Sequence, residues 1–311
     1  MRYVDLHCDT LTECFDKGLS LADCNLQINL EKLKKSGCAV QCFAIFTQGG
    51  DAAFRFEKYL SYYGECVKKH GIKPVLDFGG FESCLKGGEA GSILTVENLG
   101  FMTDLAQLKS LYAAGVRMAS LVWNFENTFA YPNLIFEGGI PNFSKREGRG
   151  LKRLGRQAVE ALDGLKIIVD ISHLSDGGTD EILSGRKTPI VASHSNAACV
   201  NGVARNLTDV QIKKIADCGG VVGVNFCKDF LGVGSTFESI FAHFKHIINI
   251  GGEDVAAFGS DFDGIPAPPD LEDCTKMPRL LHYLEGRGIK GETLEKLCYK
   301  NFARVFKEVV G

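Results

Sequence analysis

The chain has 311 residues, 45% of them apolar, and a formal net charge of −3. That composition gives a globular chain with ample core, and its weakly acidic balance offers no surface for nucleic acid or anionic lipid. No run approaches the roughly 20 apolar residues of a spanning helix, and Met1-Arg2 leads directly into a strand with no signal-like segment, so a cytoplasmic protein without membrane partners is expected.

Eight short strands rich in Val, Ile, Ala and Phe are predicted, at 3–7, 39–46, 92–97, 116–122, 166–171, 189–193, 220–226 and 255–260. Most are continuously apolar, as in a parallel sheet covered on both sides. Helical patterns fall between them at 54–70, 102–114, 151–162, 179–183, 209–217, 237–250 and 291–307. The alternation implies right-handed crossovers and the α/β class. A count of eight points to a closed (β/α)8 TIM barrel spanning 1–311 as one domain. No Gly-x-Gly-x-x-Gly follows the first strand, which weighs against an open dinucleotide-binding sheet. The Gly-rich 79–91 stretch and the 264–278 stretch with its four prolines read as loops. Longer insertions after the fourth and eighth strands, 123–149 and 261–278, read as lids or binding walls. The twelve cysteines are scattered through these patterns, with Cys42 in an apolar run, Cys66 on a helix and Cys227 after a strand. No pair has zinc-ribbon spacing, so reduced, mostly buried thiols are expected.

Five strands end in His or acidic residues. His7 and Asp9 are two apart, so in an extended segment they face the same way and Cys8 faces the other. Glu97 closes an apolar run, where an unpaired carboxylate is costly. His173 and His194 end consecutive strands, and Asp261 follows the last. Singly, each has an ordinary reading: a capping Asp, a salt-bridge Glu, a hydrogen-bonded core His. Jointly those readings fail, because the strand C-termini of such a barrel open on one face, where catalytic groups gather. The simplest arrangement is two divalent ions bridged by Glu97, with His7 and Asp9 on one side and His173 and His194 on the other. Mixed N and O ligands suit two Zn2+, with iron, cobalt or manganese as alternatives. Asp261 then fits the general acid/base that moves a proton from water to a leaving amine, with Asp263 the weaker candidate.

The segments Asp5-Leu6-His7-Cys8-Asp9, Val96-Glu97-Asn98, Asp170-Ile171-Ser172-His173, Ser193-His194-Ser195, Arg205-Asn206-Leu207-Thr208-Asp209 and Gly259-Ser260-Asp261-Phe262-Asp263-Gly264 run in that order over nearly the whole chain. In this the sequence resembles the renal (membrane) dipeptidase family, a branch of the metal-dependent amidohydrolase superfamily. Most of the superfamily opens with His-x-His and often bridges its metals with a modified lysine; His-x-Asp and a glutamate match the dipeptidase branch. The resemblance implies a TIM barrel with a dinuclear zinc site that hydrolyses dipeptides, L-D dipeptides included, through a metal-bridging water. It implies a homodimer. It makes His7, Asp9, Glu97, His173 and His194 ligands, Asp261 the acid/base, and Arg205 the clamp for the substrate carboxylate, a role that suits a guanidinium fork. Animal members carry a histidine in the loop after the fourth strand that helps bind the substrate carbonyl or its oxyanion. Alignment on Asn127-Thr128 puts Asn124 there. An amide donates one hydrogen bond but does not titrate, and complete loss of such a donor costs about 2.7–4 kcal/mol of transition-state stabilisation. Asn124 is therefore expected to bind substrate and serve catalysis while keeping part of that contribution. Fold and metals also serve other amidohydrolases, such as D-aminoacylases, lactonases or deaminases, and a metal-binding protein without turnover is the reading from another class. Arg205 separates the first alternative and Asp261 argues against the second.

Overall fold

A computed structural model describes residues 1–311. Eight parallel strands close on themselves: β1 (Tyr3–Asp5), β2 (Cys38–Phe46), β3 (Gly91–Glu97), β4 (Val116–Ser120), β5 (Ile168–Asp170), β6 (Val191–Ala192), β7 (Val221–Val224) and β8 (Ala256–Phe258). Closure is made by β8 against β1, at Phe258 and Asp5. The longest ladder joins β2 and β3, from Val40 opposite Gly91 to Phe46 opposite Glu97. All eight predicted strands are present and the (β/α)8 class holds. A two-residue strand, Lys73–Pro74, is added beside the start of β3.

One buried cluster draws residues from every strand: Val4, Val40, Ile93, Met118, Ile168, Val191, Val221 and Ala257. Side chains from all strands of a ring meet only inside it, so this is the barrel's packed interior. Phe81, Phe302 and Phe306 belong to the same cluster, with Phe81 stacked on Phe306 and tilted against Phe302. The larger cluster lies between strands and helices, and β2 shows the division: Val40 and Cys42 belong inside, Phe43 and Ile45 outside. Both strand faces are buried, which is why the strands read as unbroken apolar runs.

The expected helices stand near their places, at Ala52–His70, Gln107–Ala113, Arg153–Gly164, Asp176–Leu183, Asp209–Asp217 and Thr236–Gly251. The last predicted helix extends from Gly291 to Val309 but carries a π segment at Lys296–Lys300. The Gly-rich 79–91 stretch corrects the sequence reading: Phe78–Lys86 is a helix. Asp77 caps it by accepting from the Gly80 N–H at 2.7 Å, and Phe81 and Cys84 bury its inner face. Capping and burial outweigh the roughly 1 kcal/mol that each glycine costs a helix. The 264–278 stretch is loop only to Asp273, after which a 3-10 turn leads into the helix Met277–Gly286. The 123–149 insertion contains a small hairpin, Ile135–Glu137 with Ile140–Asn142. All twelve cysteines are free thiols, ten of them buried. No helix is long and apolar enough to cross a membrane.

Two features fix the strand ends that carry the site. Gly259, just past β8, lies so close to the strand leading to His194 that a Cβ there would fall 1.8 Å from the Ser193 carbonyl oxygen. His243, fully buried on Thr236–Gly251, accepts from the Ala197 N–H at 3.1 Å and donates to the Leu231 carbonyl at 3.2 Å. It thereby ties that helix to the segment after β6. Burial lowers its pKa to about 4.

Gly259→Ala is expected to cost about 3 kcal/mol or more, because backbone rather than a flexible side chain must yield; urea melts of the two proteins measure it. His243 must stay neutral in the fold while it protonates freely in the unfolded chain. Its contribution is therefore whole above pH ~6.5 and lost as pH falls through about 4, by roughly 3 kcal/mol. Stability measured across that window should fall less steeply in His243→Asn than in the wild type.

Candidate active site

The predicted residues converge on one cavity of about 240 Å³ at the C-terminal mouth of the barrel. Asp9, Glu97, Asn124, His173, Arg205 and Asp261 line it, with Phe46, Trp123 and Phe230 as apolar walls. His7 and His194 lie beneath, fully buried, with rings 3.9 Å apart. Gly264 closes the floor, where a Cβ would meet the Asp9 carboxylate at 2.2 Å. Four residues of this mouth, Asn98, His173, Asp261 and Asp263, take positive φ without being glycine. Strain of that kind costs of order 1–3 kcal/mol per residue and collects where side chains must be aimed.

Glu97 stands at the centre. Its Oε1 lies 3.0 Å from His173 Nε2 and 3.4 Å from His194 Nε2, and its Oε2 lies 3.9 Å from His7 Nε2. The His7 nitrogen also faces Asp9 Oδ2 at 3.4 Å and Asp261 Oδ1 at 3.8 Å. The carboxylate thus divides its two oxygens between two groups of donors, His7 with Asp9 and His173 with His194.

The tautomers are set by the hydrogen bonds. His173 Nδ1–H donates to Asn124 Oδ1 at 2.7 Å. The Ser193 hydroxyl donates to Asp170 at 2.6 Å and receives His194 Nδ1–H at 2.7 Å. Both Nε2 atoms are then bare, yet they stand 2.9 Å apart with Glu97 Oε1 beside them. Arg205 aims one N–H at His173 Nε2 from 3.1 Å, but no hydrogen lies between the three facing lone pairs; they repel, and a cation relieves them. His7 Nε2 and Asp9 Oδ1 are buried with no hydrogen-bond partner. This nitrogen and oxygen set fits divalent metal at both groups.

The titration directions differ between the two sides of Glu97. Burial alone would lower His7, but Glu97, Asp9 and Asp261 outweigh it and raise the pKa to about 10. Burial and the nearby positive groups Arg205 and His7 hold His173 and His194 well below the usual value. Burial raises Glu97 and lifts Asp261 to about 6, in each case against the pull of His7.

Asp261 receives Asn225 Nδ2–H at 2.8 Å on Oδ2, leaving Oδ1 toward His7. Asp263 is occupied instead: it accepts from Thr10 at 2.5 Å and from the Gln27 and Ile28 N–H groups at 2.6 and 3.2 Å. Arg205 is buried over the Phe230 ring. One nitrogen donates to His173 Nε2 and to the His194 carbonyl, while Nε and Nη1 have no partner.

Several supporting residues escaped the sequence reading. Asp5 binds Ser260 through both the N–H and the hydroxyl, and Asp170 binds Ser193 the same way. These matching clamps join β1 to the end of β8 and β5 to the end of β6. Their signal was present: Asp5 and Asp170 end apolar strands and therefore need partners. Asn225 gave no such signal.

Comparison with known proteins identifies the family. The profile described as membrane dipeptidase (Peptidase family M19) matches residues 1–310. An uncharacterized Klebsiella pneumoniae protein from the pqqA 5′ region is 36% identical over 245 residues, 76% of this chain and 89% of that one. The crystal structure of dipeptidase AC, a family M19 metallopeptidase, superposes with a TM-score of 0.91 at 27% identity, over 100% of this chain and 99% of that one. A Rhodobacter sphaeroides metallopeptidase bound to a phosphinate mimic of L-Ala-D-Ala gives 0.89 at 26% identity, over 99% of each chain. The chain belongs to the membrane dipeptidase family.

Proposed function

We propose that this protein is a dinuclear metallo-dipeptidase, active on L-L and L-D dipeptides, with two Zn2+ as its ions and iron, cobalt or manganese as alternatives. The observation that carries the reading is Glu97, whose two oxygens face two separate donor groups. His7 and Asp9 would hold one ion, His173 and His194 the other, with Glu97 between them. When bound, such a pair polarises the scissile carbonyl and lowers the pKa of the attacking water. The L-D scope is supported by the Rhodobacter relative and its L-Ala-D-Ala mimic.

The chain's own groups supply the rest. Asp261, oriented by Asn225, takes the proton of the attacking water and passes it to the leaving amine. Arg205 offers two buried, unpartnered donors to a substrate carboxylate. It stands after β6, across the barrel from Phe46 at the end of β2, so a substrate held by its carboxylate lies over the mouth. Asn124 orients His173 through its oxygen, and its NH2 is the end left to donate to the substrate's oxyanion.

Purified protein should hold at least two metal ions per chain by elemental analysis and release free amino acid from L-Ala-L-Ala and L-Ala-D-Ala, and EDTA should abolish that release. Two ions with turnover of N-acyl amino acids or lactones, but of no dipeptide, would overturn the assignment. Asp261→Asn is expected to keep both ions and lower kcat by about 10²–10⁴. Arg205→Ala should lower kcat/KM for dipeptides at least about 10²-fold, and should leave esters or amides without a free carboxylate unaffected.

A further inference from the structure

Of the twelve thiols, Cys199 alone is exposed. It lies on the segment between His194 and Arg205. Its sulfur shares one corner of the surface with the Asp209 carboxylate and the His246 imidazole, the three ligand atoms all within 4.8 Å of one another. Asp209 is the first residue of the helix Asp209–Asp217, and His246 lies on Thr236–Gly251. Three separate elements therefore present sulfur, oxygen and nitrogen to one point. His246 Nε2 and Asp209 Oδ1 already stand 2.7 Å apart.

The bland reading is an ordinary His–Asp pair with a thiol near it by accident. Against it, this chain buries nearly every other thiol and exposes the one that lies beside such a pair. Thiolate, imidazole and carboxylate are all zinc ligands. Ligand atoms on a tetrahedral zinc lie about 3.3–3.8 Å apart. The His–Asp pair, hydrogen-bonded at 2.7 Å, must open to that spacing as the metal replaces the shared proton, and rotation of an exposed Cys side chain can bring the sulfur in.

We propose that Cys199, Asp209 and His246 form a second metal site, outside the barrel mouth, for a thiophilic divalent ion such as Zn2+. Binding releases the thiol proton and leaves a fourth position to water. The ion ties the segment that leads to Arg205 onto the two helices flanking it. This inference does not depend on the dipeptidase reading.

The two sites can be told apart, because the donor groups at the mouth contain no sulfur. Metal-stripped protein is titrated with Co2+ and followed in the near ultraviolet. The wild type should show a thiolate-to-cobalt charge-transfer band that excess Zn2+ removes. Cys199→Ser should lose the band and bind one ion fewer per chain, with an unchanged far-ultraviolet circular dichroism spectrum. His246→Ala should weaken the Co2+ affinity read from the band at least tenfold. Absence of the band in the wild type would overturn the proposal. So would its survival in Cys199→Ser, or an unchanged midpoint in His246→Ala.

Discussion

Glu97 is buried at the end of β3, where an isolated carboxylate is penalised by several kcal/mol, and its neighbours do not relieve it in the ordinary way. On one side it faces two imidazole nitrogens whose protons point elsewhere; on the other it shares His7 with Asp9 and Asp261. A fold that needed only to satisfy Glu97 would turn an N–H toward it. Here Asn124, Ser193 and Asp170 hold those N–H groups away from it. The arrangement is costly for a metal-free protein and economical for one that holds cations, since each bare nitrogen and each unpartnered oxygen is then used.

The barrel bears that cost through its strand ends. The clamps between Asp5 and Ser260 and between Asp170 and Ser193 are both buried and use backbone and side chain together. Their members sit one to three residues before His7, Asp261, His173 and His194. The same stretches carry the left-handed residues His173 and Asp261 and the close approach of Gly259 to Ser193. Strain, clamp and close packing thus coincide where precise aim is needed, while the opposite end of the barrel is filled by Phe81, Phe302 and Phe306.

The order of strands and the groups at their ends were legible because both rest on local rules. Apolar runs buried on two faces look the same in sequence and in space, and a His or acidic residue closing such a run is conspicuous. The helix Phe78–Lys86 was hidden because its glycines argue locally for a loop, whereas Asp77 and the buried Phe81 win only in context. Asn225 was hidden for a related reason: an amide after an apolar strand has many ordinary uses, and only the contact with Asp261 selects this one. Asp261 and Asp263 could not be ranked by sequence beyond a turn signal. The structure separates them because Thr10 and two backbone N–H groups occupy Asp263, while Asp261 keeps one oxygen toward His7.

Asn124 is the place where sequence and structure together say more than either alone. From the sequence it is a weaker substitute for a titrating side chain. In the structure it stands 2.7 Å from His173 Nδ1, and oxygen toward Nδ1–H is the orientation that agrees with the Arg205 N–H aimed at Nε2. An NH2 turned toward Nδ1 would require the imidazole proton on Nε2, where the Arg205 guanidinium, which can only donate, already points. The amide therefore has one assignment, oxygen to His173 and NH2 outward. An imidazole in this position would meet the same need only while neutral, because protonation converts its acceptor into a donor facing Nδ1–H. An amide does not change state with pH, so Asn124 offers His173 Nδ1–H the same acceptor throughout.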